Sequence, residues 1–295
     1  MAIKVFAGLQ SGQGVISTDL LDIGATDFNG GEKYNSIKSE VFNSLQAEGD
    51  QFLVGIETTF DMPIEWNAKS LELIMQGLGY KPDENEWYKL SSDDPAHYTV
   101  IVSDSSNNMK TIYKDCKLNT IAINAVKGAV VNGSTSWIGK KVEFQSGVIM
   151  DSSSTNRGTS LVTLGSTIYL GGIDSSSEVN SLTIDITNNL EAKGAINSLY
   201  TTEIRRSSPQ STSATLEFNT YDQSRFANLK TKAATNRTEN LTIVLVDNDN
   251  TIEILIPKLF VVENTRADYK GAGNQTLKMN ASINNDENTP VIFKF

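Results

Sequence analysis

Residues 98–104 read YTVIVSD, and residues 241–247 read LTIVLVD. Each stretch alternates β-branched residues with others, which is typical of a strand, and each runs into a polar turn of Asp, Asn and Ser. The second copy stands 143 residues after the first. Self-similarity at such a spacing indicates repetition of a domain-sized unit rather than a short solenoid. The sequence therefore predicts two copies of one small β-domain.

The resemblance continues after each hairpin turn. A second strand follows and ends in Lys-Leu, a third strand comes next, and a Lys-Gly step closes the unit. The predicted strands are 109–118 and 120–126 in the first half, and 251–259 and 260–265 in the second. Two unrelated β-rich halves could also look alike, because strands share a composition. The common order of the elements favours duplication.

Upstream of the hairpins the halves agree again. The strand 52–60 precedes a helix predicted near 63–78, and the strand 212–218 precedes one near 222–234. Apolar residues in both helices recur at the spacing of one buried stripe. The stripes are Leu71, Ile74, Met75 and Leu78 in the first helix, and Phe226, Leu229 and Ala233 in the second. Pro63 suits a first helical turn, and Gly77 and Gly79 suit a helix end.

These patterns predict a mainly-β (α+β) protein with two tandem β-sandwich or β-barrel domains, each flanked by one helix. A chain of 295 residues is long enough to give each domain a core. The predicted organisation is a first domain over 1–145 and a second over 179–295. Residues 146–178 form a polar, loop-rich connection that contributes to both.

The net charge of −10 is unfavourable for binding nucleic acid, since that affinity comes mainly from Lys and Arg neutralising phosphates. An acidic surface repels DNA instead and lets it pass, although solubility explains the same charge. The N-terminal sequence lacks the apolar core of a signal peptide, and no apolar run approaches the length of a membrane span. We therefore expect a chain that folds in a cytoplasm, with no membrane partner.

Residues for catalysis are scarce. The sequence has one histidine, His97, and one cysteine, Cys116, which excludes the usual zinc sites and offers no nucleophile motif. Cys116 lies inside a predicted strand and is expected to be buried. The stretch 247–251 begins like a calcium loop but lacks its later glycine and glutamate, so a hairpin tip is predicted. We expect no catalytic, cofactor-binding or metal-binding residue and no enzymatic activity.

Three polar segments interrupt the β-pattern, at 27–36, 151–158 and 171–178. Such segments on a β scaffold are either surface loops or arms that order against a neighbouring subunit. The second interpretation gives a set of candidate inter-subunit contact residues. These are Asp27, Asn29, Tyr34, Asp151, Thr155, Arg157, Asp174 and Glu178.

Two further stretches resemble a known family. Residues 117–141, KLNTIAINAVKGAVVNGSTSWIGKK, and residues 179–190, VNSLTIDITNNL, are similar to strands of tail tube proteins from long-tailed phages. Within this chain LNTIAIN (118–124) and VNSLTID (179–185) also echo each other. With the duplication, the resemblance covers most of the chain and points to the major tail tube protein of a siphovirus-like phage. It departs from the family in size, since many tail tube subunits have a single domain.

The resemblance implies a structural virion protein that polymerises into the hollow tube through which DNA passes without specific binding. A family ring presents six tube domains, so a two-domain subunit would close it as a pseudo-hexameric trimer, with domain 1 meeting domain 2 of its neighbour. The implied partners are further copies of the chain and the tape measure, tail tip and terminator proteins. Assembly would take place in the host bacterial cytoplasm.

Other functions stay open. The tube of a contractile injection device or phage-like bacteriocin uses the same fold, although such subunits usually have one domain. A non-catalytic β-rich adhesin would share the composition, but it would normally carry an export signal and clustered aromatic residues. A divergent hydrolase is the weakest alternative, because the sequence lacks catalytic groups.

Overall fold

Antiparallel strands dominate the computed structural model, which describes residues 3–38, 51–149, 158–235, 237–247, 250–267, 274–284 and 286–295. The strands are β1 (Ile3–Leu9), β2 (Leu21–Asp22), β3 (Asn29–Lys38), β4 (Gln51–Glu65), β5 (Tyr80–Pro82), β6 (Trp87–Leu90), β7 (Tyr98–Asp104), β8 (Met109–Val126), β9 (Asn132–Gly139), β10 (Lys141–Ser146), β11 (Val162–Leu170), β12 (Ile173–Asp174), β13 (Val179–Thr187), β14 (Leu190–Lys193), β15 (Glu203–Arg206), β16 (Ser211–Phe218), β17 (Thr238–Val246), β18 (Thr251–Ala267), β19 (Asn274–Ala281) and β20 (Ile292–Lys294). The helices are α1 (Ala68–Gly77) and α2 (Gln223–Ala234). The predicted mainly-β class is confirmed.

Eight of these strands form one continuous antiparallel layer. Its order is β3-β4-β9-β8-β13-β16-β19-β18. The first four strands come from the first half of the chain and the last four from the second. Position by position, the second four follow the same order as the first four: the partner of the strand before the helix, the strand before the helix, the strand after the long strand, and the long strand.

Most of the remaining strands build a second layer in each half, and β14 and β15 form a separate two-stranded sheet. In the first half β7 pairs with β1 and with the start of β8, which also pairs with β10. In the second half β17 pairs with β11 and with the start of β18, which also pairs with β20. Each long strand therefore belongs to both layers. This pattern of pairing is shared by the two halves, and β20 in addition pairs with β6 of the first half.

The prediction of two separate strands after each hairpin turn is wrong. β8 and β18 are each continuous, and each crosses from one layer to the other at shifts in pairing register. These shifts lie opposite β7 and β9 for β8, and opposite β17 and β19 for β18. An extra residue at such a bulge bends a strand without ending it. The bend replaces the break predicted after each Lys-Leu step.

Helix α1 begins later than predicted. Pro63 lies on β4 opposite Ser134, and the helix starts at the N-cap Asn67, whose side chain accepts from the Ser70 amide at 3.0 Å. Gly79, at φ +95°, follows the helix end as expected. The predicted stripe of α1 is confirmed, because all four of its side chains are buried.

Helix α2 has the predicted bounds, with Asp222 as its N-cap. Its stripe is only partly confirmed. Leu229 is buried, Phe226 is half-buried, and Ala233 is exposed. A short alanine at the last position gives little apolar surface to bury, so this end of the helix packs less closely than the sequence pattern indicates.

The core lies between the layers and runs through both halves as one hydrophobic cluster. Its centre in the first half is a group of aromatic rings in which Phe60 stacks on Trp137 at 5.9 Å and Tyr98 meets Trp137 edge-on at 5.0 Å. The predicted burial of Cys116 is confirmed. The domain boundaries at 145 and 178 stay a prediction.

Two segments predicted as loops contain strands. Residues 29–38 form β3, because pairing along β4 satisfies the backbone of a segment with low intrinsic strand propensity. The connection at 146–178 contains β11 and β12, joined by Gly171 and Gly172 at positive φ. The predicted hairpin tip after β17 is confirmed at its ends, where the Asn250 amide donates to Asp247 Oδ1 at 2.6 Å.

In the described ranges no helix is long and apolar enough to cross a membrane.

Candidate functional site

The eight-stranded layer has two open edges, and they are different. At one end, β3 pairs only with β4. At the other end, residues 263–267 of β18 pair only with β19. No other strand pairs with either edge within the residues that the structure describes. Unpaired strand edges of this length are templates for pairing with another chain, and a folded protein normally covers them.

The seam between the two halves has the same kind of edges, already joined. Residues 120–126 of β8 pair with residues 181–187 of β13 in seven antiparallel pairs. At this seam β13 of the second half takes the place that β3 has in the first half. The end of β8 takes the place that the end of β18 has in the second half. The motifs LNTIAIN and VNSLTID thus lie on adjacent hydrogen-bonded strands. The seam shows that a strand placed like β3 pairs with the end of a long strand.

A buried asparagine fixes the end of this seam. Asn188 donates through Nδ2 to the carbonyl of Leu118 at 2.9 Å, and its Oδ1 accepts from Arg206 at 3.0 Å and from Gln210 Nε2 at 2.8 Å. Asn189 adopts φ +53°, a conformation that asparagine tolerates. The Asn-Asn-Leu step of the sequence is therefore a turn that ends β13 and locks it to β8.

Two lysines attach the β14–β15 hairpin to the first half. Lys117 is 4% exposed and donates to the carbonyl of Ile204 at 3.0 Å, and Lys140 is 8% exposed and donates to that of Thr202 at 2.6 Å. Burial lowers the pKa of Lys117. Carbonyl partners partly offset the cost of burying these ammonium groups.

Glycine sets the position of the open β3 edge. A Cβ placed on Gly30 would lie 2.1 Å from the Cβ of Phe60, whereas one placed on Gly31 would meet nothing within 4 Å. Phe60 itself stacks on Phe28 at 5.5 Å and meets Tyr113 at 4.7 Å. Only glycine at position 30 lets β3 lie flat against this aromatic group, and this brings the edge into line with the layer.

One face of the layer packs on the core, and the other is open and polar. Along β13 and β16 the buried residues alternate with residues of the open face, as the two-residue period of a strand requires. Acidic side chains outnumber basic ones on this face. Its charged residues are Lys33, Glu57, Asp61, Glu65, Asp185, Glu217, Glu263 and Lys278.

The predicted contact residues fall in different places. Tyr34 and Asn29 lie on β3, at the open edge, and Asp27 just precedes it, with its carboxylate accepting from the amide of Phe28. Asp151, Thr155 and Arg157 lie outside the described residues. The structure thus brings the first group together at an edge strand rather than on a loop.

Two other predicted contact residues have partners in the chain itself. Asp174 lies on β12, where bonds from Ser176 lower the pKa of its carboxyl. Glu178 pairs with Arg225, whose guanidinium lies 3.8 Å from the ring centre of Phe218. This pair ties α2 to the sheet. Whether either residue also meets a second subunit stays a prediction.

The residues considered for catalysis occupy structural positions. His97 is half-buried, and burial together with the nearby Lys117 lowers its pKa. Burial raises the pKa of the Cys116 thiol well above its ordinary range, which makes the sulfur unreactive. In the described ranges no group of three His, Cys, Asp or Glu residues is placed to hold a metal ion.

Sequence reasoning missed the second open edge. The sequence pattern predicts an ordinary strand that ends at Thr265, whereas Glu263 and Thr265 lie on the part of β18 that only β19 pairs with among the described strands. The available signal was length: β18 continues well beyond the point where β17 pairs with it, at Phe260. A strand that outruns its hairpin partner needs another neighbour.

Comparison with known proteins adds an independent finding. No curated protein matches the chain. A family model described as phage tail tube protein matches residues 4–286, which is nearly the whole chain. The proteins of this family have a structural role in the virion tail and assemble with themselves into a tube. With this match and its largely antiparallel β fold, the chain belongs to the phage tail tube protein family.

Proposed function

We propose that three copies of this chain close into a ring and that the rings stack into the hollow tail tube of a long-tailed phage. Each copy is a tandem duplication and supplies two tube domains, so the ring is pseudo-hexameric. One observation carries the proposal: the eight-stranded layer repeats one four-strand order twice, and its two open edges correspond to the two strands already joined at the internal seam.

Pairing of β3 with the β18 edge of the next copy gives a heterologous interface. Such an interface forms a closed ring when the rotation that relates one copy to the next divides a full turn into a whole number of steps. A contact of β3 with β3 of a second copy would leave both β18 edges open, whereas the pairing of β3 with β18 covers every edge. Ring closure covers both edges of every copy, and this removes the aggregation risk that they carry as free edges.

The expected dimensions suit a channel. Three layers of eight strands make a cylinder of twenty-four strands. With neighbouring strands about 4.8 Å apart, that cylinder is at least about 37 Å across between backbones, and strand tilt widens it. After side chains are added, the remaining bore admits a DNA duplex.

The open polar face of the layer becomes the channel lining in this arrangement. Glu57, Asp61 and Glu217 on that face are exposed. Carboxylates there repel the phosphates of DNA, so the duplex passes without specific binding. The opposite face is already covered by the core and the second layer, which leaves the polar face as the one toward the channel.

The wider setting follows from the family. We propose that the tube assembles in the cytoplasm of the host bacterium and that it meets a tape measure protein inside, a tip protein at one end and a terminator protein at the other. A tube of a contractile injection device or a phage-like bacteriocin is the competing interpretation. The duplication favours the phage tail, since it gives a three-chain ring.

Electron microscopy of the purified chain, concentrated and aged, tests the proposal. Hollow tubes, or rings whose averaged end views have threefold symmetry with a sixfold component, support it. Rings of six complete chains contradict the trimeric closure. A chain that stays monomeric on its own is tested again after addition of a purified tail tip, which supplies a nucleus. Absence of tubes in that mixture argues against the tail tube assembly proposed here.

A further inference from the structure

The internal seam also specifies the register of the contact between chains. We propose that Lys33 of one copy lies directly opposite Glu263 of the next, and that this pair selects the register in which the ring closes. The inference rests on the proposed ring. It identifies the partner as a second copy of this chain and names the residues that recognise it.

The equivalent positions follow from irregularities that both halves share. A register shift separates the Ala25–Ile64 bridge from the β3–β4 ladder, and the same shift separates Val179–Phe218 from the β13–β16 ladder. When the two halves are aligned on this shared shift, β3 aligns with β13 and Lys33 aligns with Thr187. Bulges are local features of definite position, so they serve as fixed points for such a match.

The long strands carry a second fixed point. In β8 the pairing with β9 shifts between Leu118 and Thr120, and in β18 the pairing with β19 shifts between Val261 and Glu263. Thr120 therefore matches Glu263. The two fixed points are consistent with each other. β4 pairs with β9 as β16 pairs with β19, so the match of β3 with β13 leads through these pairings to the same match of β8 with β18.

The known seam then predicts the unknown one. Thr187 lies directly opposite Thr120 across the internal seam. Transferred to the open edges, this pair becomes Lys33 opposite Glu263 of the next copy. Their neighbours on the open face give Gly31 opposite Thr265, and Asn29 opposite Ala267.

The chemistry of the two seams differs in an informative way. Across the internal seam, Ser211, Thr187, Thr120 and Ser136 form a row over four adjacent strands, all bearing hydroxyls. The matching row across the junction between copies is Glu57, Lys33, Glu263 and Lys278. Charges alternate along it, so every neighbouring pair is attractive. Part of the row already exists, as Lys278 Nζ lies 2.9 Å from Glu263 Oε2.

Charged residues at the junction between copies select the register there, because the two strands belong to separate chains. The internal seam is held in register by the chain itself, whereas two separate copies must find it. A slip by two residues would place Lys33 opposite the uncharged Thr265. Direct opposition of unlike charges across antiparallel strands is favourable, and like charges are unfavourable. Register is otherwise weakly specified where the strands are polar on both faces, as β3 is with Gly30 and Glu32.

Cysteine cross-linking tests the register. Gly31→Cys with Thr265→Cys in one chain places two thiols directly opposite each other across the predicted junction. A Cβ at Gly31 meets nothing within 4 Å, and Thr265 is exposed, so both changes are tolerated. The two sites in one copy lie at opposite edges of the layer, about 34 Å apart, and cannot bridge within the chain. The native Cys116 is buried.

The matched control is Asn29→Cys with Thr265→Cys, which is two residues out of register and keeps both Lys33 and Glu263. Tubes are grown under reducing conditions, checked by microscopy and then mildly oxidised. We expect the Gly31 variant to give covalent dimers and trimers with no larger species, because a ring of three closes. The control is expected to cross-link at least tenfold more slowly, since its thiols are diagonal.

The outcomes separate the two levels of the proposal. Tubes in which the control cross-links and the Gly31 variant does not would overturn the register and leave the ring standing. Tubes in which neither cross-links would overturn the pairing of these edges. Cross-linked ladders that extend beyond the trimer would contradict the three-membered ring itself.

Charge reversal tests the role of the pair without cysteines. Lys33→Glu and Glu263→Lys are each expected to raise the concentration needed for assembly by roughly tenfold. The double reversal is expected to recover part of that loss, because it restores the attraction between copies but places like charges beside Glu57 and Lys278 within each copy. Each single variant should keep the unfolding midpoint of the wild-type monomer within a few degrees. Failure of the double reversal to improve on both single variants would overturn the selective role of the pair.

Discussion

Ile123 on β8 lies directly opposite Ile184 on β13, and both side chains are at most 2% exposed. The two residues occupy the same place in the echoing motifs LNTIAIN and VNSLTID, so the similarity seen in the sequence is a contact in the fold. The seam between the halves is thus a part of the hydrophobic core, as well as a ladder of backbone hydrogen bonds.

The first prediction concerns this contact. Ile184→Ala removes a buried side chain and leaves a cavity, so the free energy of unfolding should fall by about 2–5 kcal/mol. Thr183→Ala, the neighbouring change on the open face, is the control and should cost below about 1 kcal/mol. Urea denaturation followed by fluorescence measures both. Equal losses would mean that the seam is not a core contact.

The second prediction concerns the open β3 edge. Gly30→Ala puts a methyl group where Phe60 already lies, and we expect it to destabilise the fold by about 1–3 kcal/mol and to impair assembly. Gly31→Ala meets open space and should change the free energy of unfolding by at most about 0.5 kcal/mol. Thermal unfolding and sedimentation compare the two. An alanine tolerated equally at both positions would contradict the packing account of β3.

The third prediction concerns the turn after β13. Asn188→Ala leaves the Leu118 carbonyl and the Arg206 and Gln210 donors without their common partner, which should cost about 1–3 kcal/mol. Asn180→Ala changes an exposed asparagine at the start of the same strand and serves as the control. Chemical denaturation measures the difference. A loss no larger than that of the control would show that the hydrogen-bonded turn is dispensable.

The fourth prediction concerns pH. Burial, and then the charge of Lys117, hold the pKa of His97 below its ordinary 6.5. As pH falls through 6.5, the unfolded chain takes up a proton before the folded chain does, so stability falls until the lower folded pKa is passed. His97→Gln removes this contribution. We expect the melting temperature of the variant, relative to that of the wild type, to be higher at acidic pH than at neutral pH. A difference between the two proteins that does not change with pH would contradict this prediction.

The fifth prediction concerns the channel. Asp61→Lys with Glu217→Lys reverses two charges on the open face, so tubes of this variant should retain DNA that wild-type tubes release. Asp19→Lys with Glu84→Lys makes the same change in net charge at exposed positions away from the layer. Filter retention of labelled duplex, measured at several salt concentrations, compares the two. Equal retention would place the open face outside the channel.

The sequence predicted the fold class, the hairpins and helix α2 well, because these depend on short alternating runs and on a local cap at Asp222. It failed where tertiary pairing overrides local propensity. β3 contains Asn, Gly and Lys and has low strand propensity, yet its backbone pairs with β4 and it forms a strand of the layer. Pro63 is typical of a helix start but lies on β4, and Trp66 and Asn67, which follow β4, are buried.

The candidate site was predictable only in part. The repeated sequence pattern and the family resemblance indicate an assembly protein, but polar composition predicts contact residues in loops. The edges that carry the proposed contact are strands, and an edge is defined by which neighbours are missing, a property that no single stretch of sequence holds. Lys33 and Glu263 stand far apart in the chain, and only the repeated pairing pattern relates them.

The central claim is that three chains, joined edge to edge, close each ring of the tube. Its most direct test is a cryo-electron microscopy reconstruction of assembled tubes, in which the number of chains per ring and the strand beside β3 are read from the map. We predict three chains per ring with β18 of the neighbouring copy beside β3 and Glu263 opposite Lys33. Six chains per ring, or a β3 edge that stays unpaired, would contradict the account.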